Sequence, residues 1–170
     1  MITGVIRVER GAKTLALTLS SLVDGVVQGI TGDAVVVVPE PDADVATVAE
    51  AAGASLVIAP AGADPWRAGA AVARGQWVLC LCDGDVPGQG WTRAVERFVI
   101  AAGGSRSLGR LTHRALPGPI RLIGVAEAWF GTTSLRAGDV ARRDWLAGTA
   151  RARVWPVPIR ATVEREPGAA

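Results

Sequence analysis

At 170 residues, 49% of them hydrophobic and 20% charged, the chain is long enough for one domain with a buried core and too apolar for disorder. No uninterrupted apolar run reaches the roughly 18 residues that cross a bilayer, and charges inside the opening segment Met1 to Arg10 argue against a signal peptide. The net charge of +2 is unevenly spread, because the interval between Glu96 and Glu127 holds no acidic residue.

The first half alternates strand and helix. Ile2–Val8 reads as a strand, and Ala12–Val23 as a helix with Leu15, Leu19, Leu22 and Val23 at helical spacing. Ala34–Val38 is a strand buried on both faces, as in a parallel sheet. Asp44–Ala52 is a helix with Asp44 as its N-cap and Gly53 closing it. A strand at Ser55–Ala59, a helix at Trp66–Ala73, a strand at Gln76–Leu81 and a helix at Gly90–Ala101 follow. The second half is less regular. Gly103-Gly104-Ser105 is a loop, Leu116–Val125 is extended, Ala128–Leu135 reads as a strand and Ala137–Leu146 as a helix. Val154–Val163 carries Pro156 and Pro158, which suits an edge strand or a covering arm. Glu164–Ala170 reads as a loose tail. Strands alternating with helices imply an α/β sheet with right-handed crossovers.

Leu81-Cys82-Asp83-Gly84-Asp85-Val86-Pro87 carries the strongest chemical signal. Its two carboxylates stand where a buried strand stops, and ligands of open α/β sheets bind in the crevice beyond that end. Mg²⁺ or Mn²⁺ held there by one or two carboxylates completes its shell with substrate phosphates. The bland alternative is a turn with solvated carboxylates, and Asp42-Ala43-Asp44 repeats the same spacing elsewhere. Cys80 and Cys82 would point the same way from one strand, which suits a disulfide poorly. Two reduced, buried thiols fit a cytoplasmic protein.

Between Glu96 and Glu127 lie Arg97, Arg106, Arg110, Arg114, Arg121 and the only histidine, His113; Lys13 is the sole lysine. Guanidinium favours planar contact with phosphate or carboxylate. The patch is either a solvated arginine face or a surface for an anionic acceptor, a phosphate or an acidic membrane. Its few interleaved aromatics speak against nucleic acid.

The chain resembles the family 2 glycosyltransferases, especially small bacterial ones, well over residues 2–100 and loosely over 128–163. The opening strand and Thr14 to Leu22 are similar to that family's first β-α unit, and Asp44 to Gly53-Ala54 to its second helix. Ala68 to Trp77 is similar to the run leading into its metal-binding strand, followed by Asp83-Gly84-Asp85 and then Pro87 to Trp91. The resemblance implies a GT-A-like, Rossmann-like three-layer α/β/α domain with a mainly parallel sheet and a shortened C-terminal part. Residues 1–163 would form it, 1–100 as the nucleotide and metal half and 101–163 as the acceptor-side half, with a flexible tail at 164–170. It implies Asp85 as metal ligand, Asp83 as the sugar- or ribose-side carboxylate and second metal contact, and Arg67 at a nucleotide-phosphate position. Glu40 could accept from a base or ribose.

Three departures bear on function. Pro39-Glu40-Pro41-Asp42 replaces the usual nucleobase turn, and its prolines remove backbone donors. The stretch that carries the general base is missing, which leaves Asp139, Asp144 and Glu127 as the nearby carboxylates. The late basic motif of processive members has no match, although Arg151, Arg153 and Arg160 stand nearby. The expected function is metal-dependent transfer of a sugar from a nucleotide-sugar donor to an unknown acceptor, anionic or lipid-linked. Peripheral contact with the inner face of the membrane would use the arginine-rich 97–121 segment. The alternative is a non-catalytic GT-A-like accessory domain. A nucleotidyltransferase fits less well, since Glu9-Arg10-Gly11-Ala12-Lys13 has a single glycine where such enzymes need a glycine-rich phosphate loop. Of the six tryptophans, Trp91 and Trp129 are the candidates for stacking on a sugar and the rest for the core.

Overall fold

Val35, Val36, Val37 and Val38 are at most 2% exposed, as a strand covered on both faces requires. They end β2 (Thr31–Val38), which lies parallel between β1 (Ile2–Arg7) and β3 (Ser55–Ile58). β4 (Trp77–Cys82) pairs parallel with the other side of β1. The structure, a computed structural model, describes residues 1–103, 108–113, 127, 131–147 and 153–166.

Among the described residues eight strands form one sheet in the order β3-β2-β1-β4-β7-β6-β8-β5. The later strands are β5 (Asp85–Pro87), β6 (Leu108–His113), β7 (Asp139–Arg142) and β8 (Pro156–Arg165). β7 runs antiparallel to β4 and β6, β8 runs parallel to β6, and β5 closes antiparallel on β8. The sheet is therefore mainly parallel with an antiparallel insertion.

Strand side chains alternate between two cores. Along β4, Trp77, Leu79 and Leu81 face one core, which receives Leu15 of α1 (Ala12–Ser21), Val45 of α3 (Ala43–Ala51) and Val95 of α5 (Trp91–Ala102). Val78, Cys80 and Cys82 face the other, with Trp66 and Ala70 of α4 (Pro65–Val72) and Leu146 of α6 (Arg143–Ala147). Helices thus cover both faces, as expected. Gly69 lets α4 approach closely, since a Cβ there would run into Val5 of β1.

Several elements differ from the sequence expectation. The first helix stops at Ser21, and a short α2 (Val23–Val27) follows. The N-cap of α3 is Asp42, whose Oδ1 accepts from the backbone N–H groups of Asp44 and Val45 at 2.9 and 3.0 Å. The second Asp-x-Asp is therefore a helix cap. The expected helix over Ala137–Leu146 is β7 followed by α6, because the apolar Val140 and Ala141 lie between neighbours on both sides of a central strand. No strand covers 131–135; Thr132 makes one bridge with Val154. β8 continues to Arg165, so Glu164 and Arg165 belong to the sheet and not to a tail. β8 also lies inside the sheet order, yet Pro156 and Pro158 are tolerated because β5 pairs only with Val163 to Arg165. Trp91 is 3% exposed and sits in the core with Trp77, not on a surface where a sugar could stack. Gly104-Ser105, Leu116–Val125, Ala128, Trp129, Arg106, Arg114, Arg121, Arg151 and 167–170 lie outside the described residues.

Candidate functional site

The carboxyl ends of β1 to β4 share one edge of the sheet, and the Asp83-Gly84 turn leaves it at the centre. Asp83 is 1% exposed and its backbone N–H donates to the Arg7 carbonyl at 3.0 Å. Its carboxylate accepts from the backbone N–H groups of Glu9, Arg10 and Gly11 at 2.9, 2.8 and 3.1 Å, and from the Thr14 hydroxyl at 2.5 Å. Such a row of N–H groups leading into a helix is an anion-binding nest. Here the chain's own Asp83 fills it.

Asp85 is fully buried. Its Oδ2 accepts from the Cys82 backbone N–H at 2.8 Å, and Arg165 grips both oxygens, Nε to Oδ1 at 2.7 Å and Nη2 to Oδ2 at 3.1 Å. Register delivers this fork, because Asp85 and Arg165 face each other in the β5–β8 pair. The Asp85 contact holds the Arg165 guanidinium firmly protonated. Burial pushes the neighbouring Cys82 thiol up to about 11, with Arg165 pulling the other way. Cys82 is therefore a neutral thiol at physiological pH, and neither cysteine is disulfide-bonded.

A second guanidinium covers the turn. Arg10 Nη2 donates to the Asp83 carbonyl at 2.7 Å and Nη1 to the Glu166 carbonyl at 2.8 Å. Gly84 has φ +84°, and a Cβ there would collide with the Arg10 guanidinium. Glycine is thus required twice over, by its left-handed backbone and by the arginine above it.

The site tests poorly for a resident divalent cation. Such an ion needs carboxylate oxygens with open lone pairs, whereas Asp83 meets four donors and Asp85 three. Among the described residues no group of three or more His, Cys, Asp or Glu side chains could hold a metal.

Glu40 and Arg67 are exposed, Glu40 just beyond β2 and Arg67 in the first turn of α4, so both stand along the same carboxyl edge. Two of the carboxylates named as candidates for the base, Asp139 and Glu127, lie in an arginine cluster. Arg110 of β6 grips fully buried Asp139 with Nε to Oδ1 at 2.6 Å and Nη2 to Oδ2 at 2.9 Å, and also pairs with Glu127. Arg136 pairs with Glu127, and its backbone N–H donates to Asp139 at 3.0 Å. Burial raises the Asp139 pKa against the pull of Arg110. His113 Nε2 lies 2.8 Å from the Ala137 carbonyl, to which it donates its N–H. Asp144 lies elsewhere. Arg142 pairs with Trp77 at the amino end of β4, so Asp144 on the following α6 is at the opposite edge from Asp83. Its hydrogen bonds from Arg142 hold its pKa low.

Sequence reasoning missed Arg10, Thr14 and Arg165. Arg165 had a readable signal: Ile159, Ala161 and Val163 contribute to one core, and Arg165 continues that two-residue parity.

Solved structures with this topology decide the fold. The M. tuberculosis glucosyl-3-phosphoglycerate synthase in complex with Mn²⁺, UDP and glucosyl-3-phosphoglycerate superposes with a TM-score of 0.64 at 15% identity, over 99% of this chain and 73% of that one. This is the GT-A glycosyltransferase fold. Mannosyl-3-phosphoglycerate synthase from Rubrobacter xylanophilus matches with a TM-score of 0.64 at 15% identity, over 100% and 67% of the two chains. Residues 1–349 of S. aureus TarS match with a TM-score of 0.62 at 12% identity, over 97% and 60%. No family model and no curated protein matches the sequence.

Proposed function

We propose that this protein is a GT-A-type glycosyltransferase that binds a nucleotide sugar in the crevice along the carboxyl edge of β1 to β4 and transfers the sugar to an anionic acceptor. The observation that carries it is the GT-A architecture over essentially the whole chain, with Asp83-Gly84-Asp85 at the end of the central strand. In transfer, an acceptor hydroxyl attacks the anomeric carbon and the nucleotide diphosphate leaves with the bond electrons. Developing charge on the diphosphate then needs a fixed positive neighbour, and Arg10 and Arg165 stand closest to the turn. Glu40 and Arg67 are placed for base, ribose or phosphate contact. The M. tuberculosis structures with UDP and either Mn²⁺ or Mg²⁺ make UDP-sugars the first donors to try. The phosphoglycerate bound in one of them supports an anionic acceptor.

Isothermal titration with UDP, GDP and their sugars tests the donor site. Saturable binding is expected, and no heat with any of them at millimolar ligand would sink the proposal. Flotation with anionic vesicles tests peripheral membrane contact through the arginine-rich 97–121 segment, in which Arg97 is exposed; a cytoplasmic location accords with two buried, reduced thiols.

One observation favours a second function, binding without turnover. Asp139 and Glu127, on the acceptor side, are both paired with arginine. A general base needs a lone pair within reach of the acceptor proton. Sugar transfer that survives Asp139→Asn and Glu127→Gln would assign the base elsewhere. Nucleotide binding with no transfer to any acceptor would support the accessory role.

A further inference from the structure

We propose that Arg165 is a tethered cation at the Asp-x-Asp turn and that, with Arg10, it binds the diphosphate of a nucleotide without a divalent metal. The proposal rests on the nucleotide-binding function above and departs from metal dependence.

Three observations carry it. First, the Arg165 fork occupies both oxygens of fully buried Asp85. A metal at Asp85 would have to displace a charge-assisted, bidentate pair, the strong kind. Second, backbone pairing delivers the cation. Asp85 stands opposite Arg165, and Glu166 N–H donates to the Gly84 carbonyl at 3.0 Å, so the end of β8 is fastened to the turn. Third, both carboxylates of the turn are engaged, while the two guanidinium groups beside them reach solvent. Asp85 is matched by Arg165, and the Asp83 carboxylate is enclosed by the β1–α1 nest. Among the described residues the Arg10 guanidinium donates to two carbonyls and to no carboxylate, so an acidic side chain does not saturate its N–H groups. Arg10 is exposed, and 42% of the Arg165 side chain is open to solvent. Two guanidinium groups on one glycine turn match the planar, multidentate recognition that phosphate oxygens favour.

The test uses the 170-residue chain and two independent readouts. Mn²⁺ binding is followed by electron paramagnetic resonance. UDP and GDP binding is followed by calorimetry, once in EDTA and once with Mn²⁺. Wild type should bind no Mn²⁺ in the micromolar range, and its nucleotide affinity should change less than about threefold between the two conditions. Arg165→Gln should lose about tenfold or more of its nucleotide affinity in EDTA and should gain a Mn²⁺ site at the freed Asp85. Arg10→Gln should lose affinity in EDTA without gaining a Mn²⁺ site, which keeps the test intact if Arg165→Gln does not fold. A wild-type affinity that rises about tenfold or more with Mn²⁺, or a micromolar Mn²⁺ site in wild type, overturns the proposal. No binding of either nucleotide under both conditions refutes the diphosphate site and the donor function together. In that case the Mn²⁺ titration still judges whether Arg165 holds the metal position.

Discussion

Asp83 shows how one side chain can look like a ligand and serve as a joint. Its carboxylate gathers three backbone N–H groups and the Thr14 hydroxyl, and so ties the β1–α1 loop to the end of β4. Each buried donor left without its partner costs about 1–3 kcal/mol. Asp83→Ala should therefore destabilise the fold by about 3 kcal/mol or more, read as a lower urea midpoint with nucleotide absent. A residue serving only as a metal ligand would leave the apo protein's stability nearly unchanged. Cys82 gives a second expectation. Its folded pKa, about 11, lies above the ordinary 9.0. The folded state thus keeps a proton that the unfolded chain releases, and stability falls as pH rises from 9 toward 11. Cys82→Ala should flatten that alkaline loss in thermal melts. At pH 8 roughly one thiol in a thousand is ionised, so alkylation of Cys82 should be slow until the protein unfolds.

Elements are held at distances that particular small residues allow. Helix α4 lies on β1 and β2 through Gly69, where a Cβ would meet Val5 and press on Val37. Gly69→Ala should push the helix outward and cost about 1–3 kcal/mol, even though alanine is the better helix former. A rise in the thermal midpoint would contradict the close approach. On the far side of the sheet, Trp77 of β4 meets Phe98 of α5 edge to face, with centroids 5.5 Å apart. That contact holds α5 against the central strand just after the Asp83–Pro87 turn. The site therefore rests on elements packed from both faces.

Across the whole molecule, the end of the chain returns to the middle of its sequence. Asp85 and Arg165 lie 80 residues apart and close the last strand pair. Removing residues 164–170 deletes Arg165 and leaves the Asp85 carboxylate without its cation. Breaking a buried pair this way costs about 3–5 kcal/mol. The truncated protein should show a clearly lower denaturant midpoint. Equal stability of the truncated and 170-residue chains would contradict the strand assignment. The same closure explains why β8 tolerates two prolines. They lie where only β6 pairs with the strand, and pairing on its other side begins at Val163.

Periodicity and composition were enough for seven of the eight elements up to the turn at Asp83; the short α2 was not foreseen. In that part each strand is a local apolar run, and its neighbours arrive by short crossovers. Spacing at a strand end marked Asp83 and Asp85, and the resemblance to family 2 glycosyltransferases implied the GT-A architecture. Beyond residue 103, β7 was read as helix and Arg165 as tail, because their apolar or charged character depends on what packs beside them. Val140 and Ala141 form a strand because β4 and β6 flank them. Spacing alone could place two carboxylates at the end of a strand. Only the folded chain could show that a nest of backbone N–H groups encloses one and a distant guanidinium grips the other. Hydrogen-bond partners more than 70 residues apart leave no local pattern, and they decide whether a carboxylate is free to hold a metal.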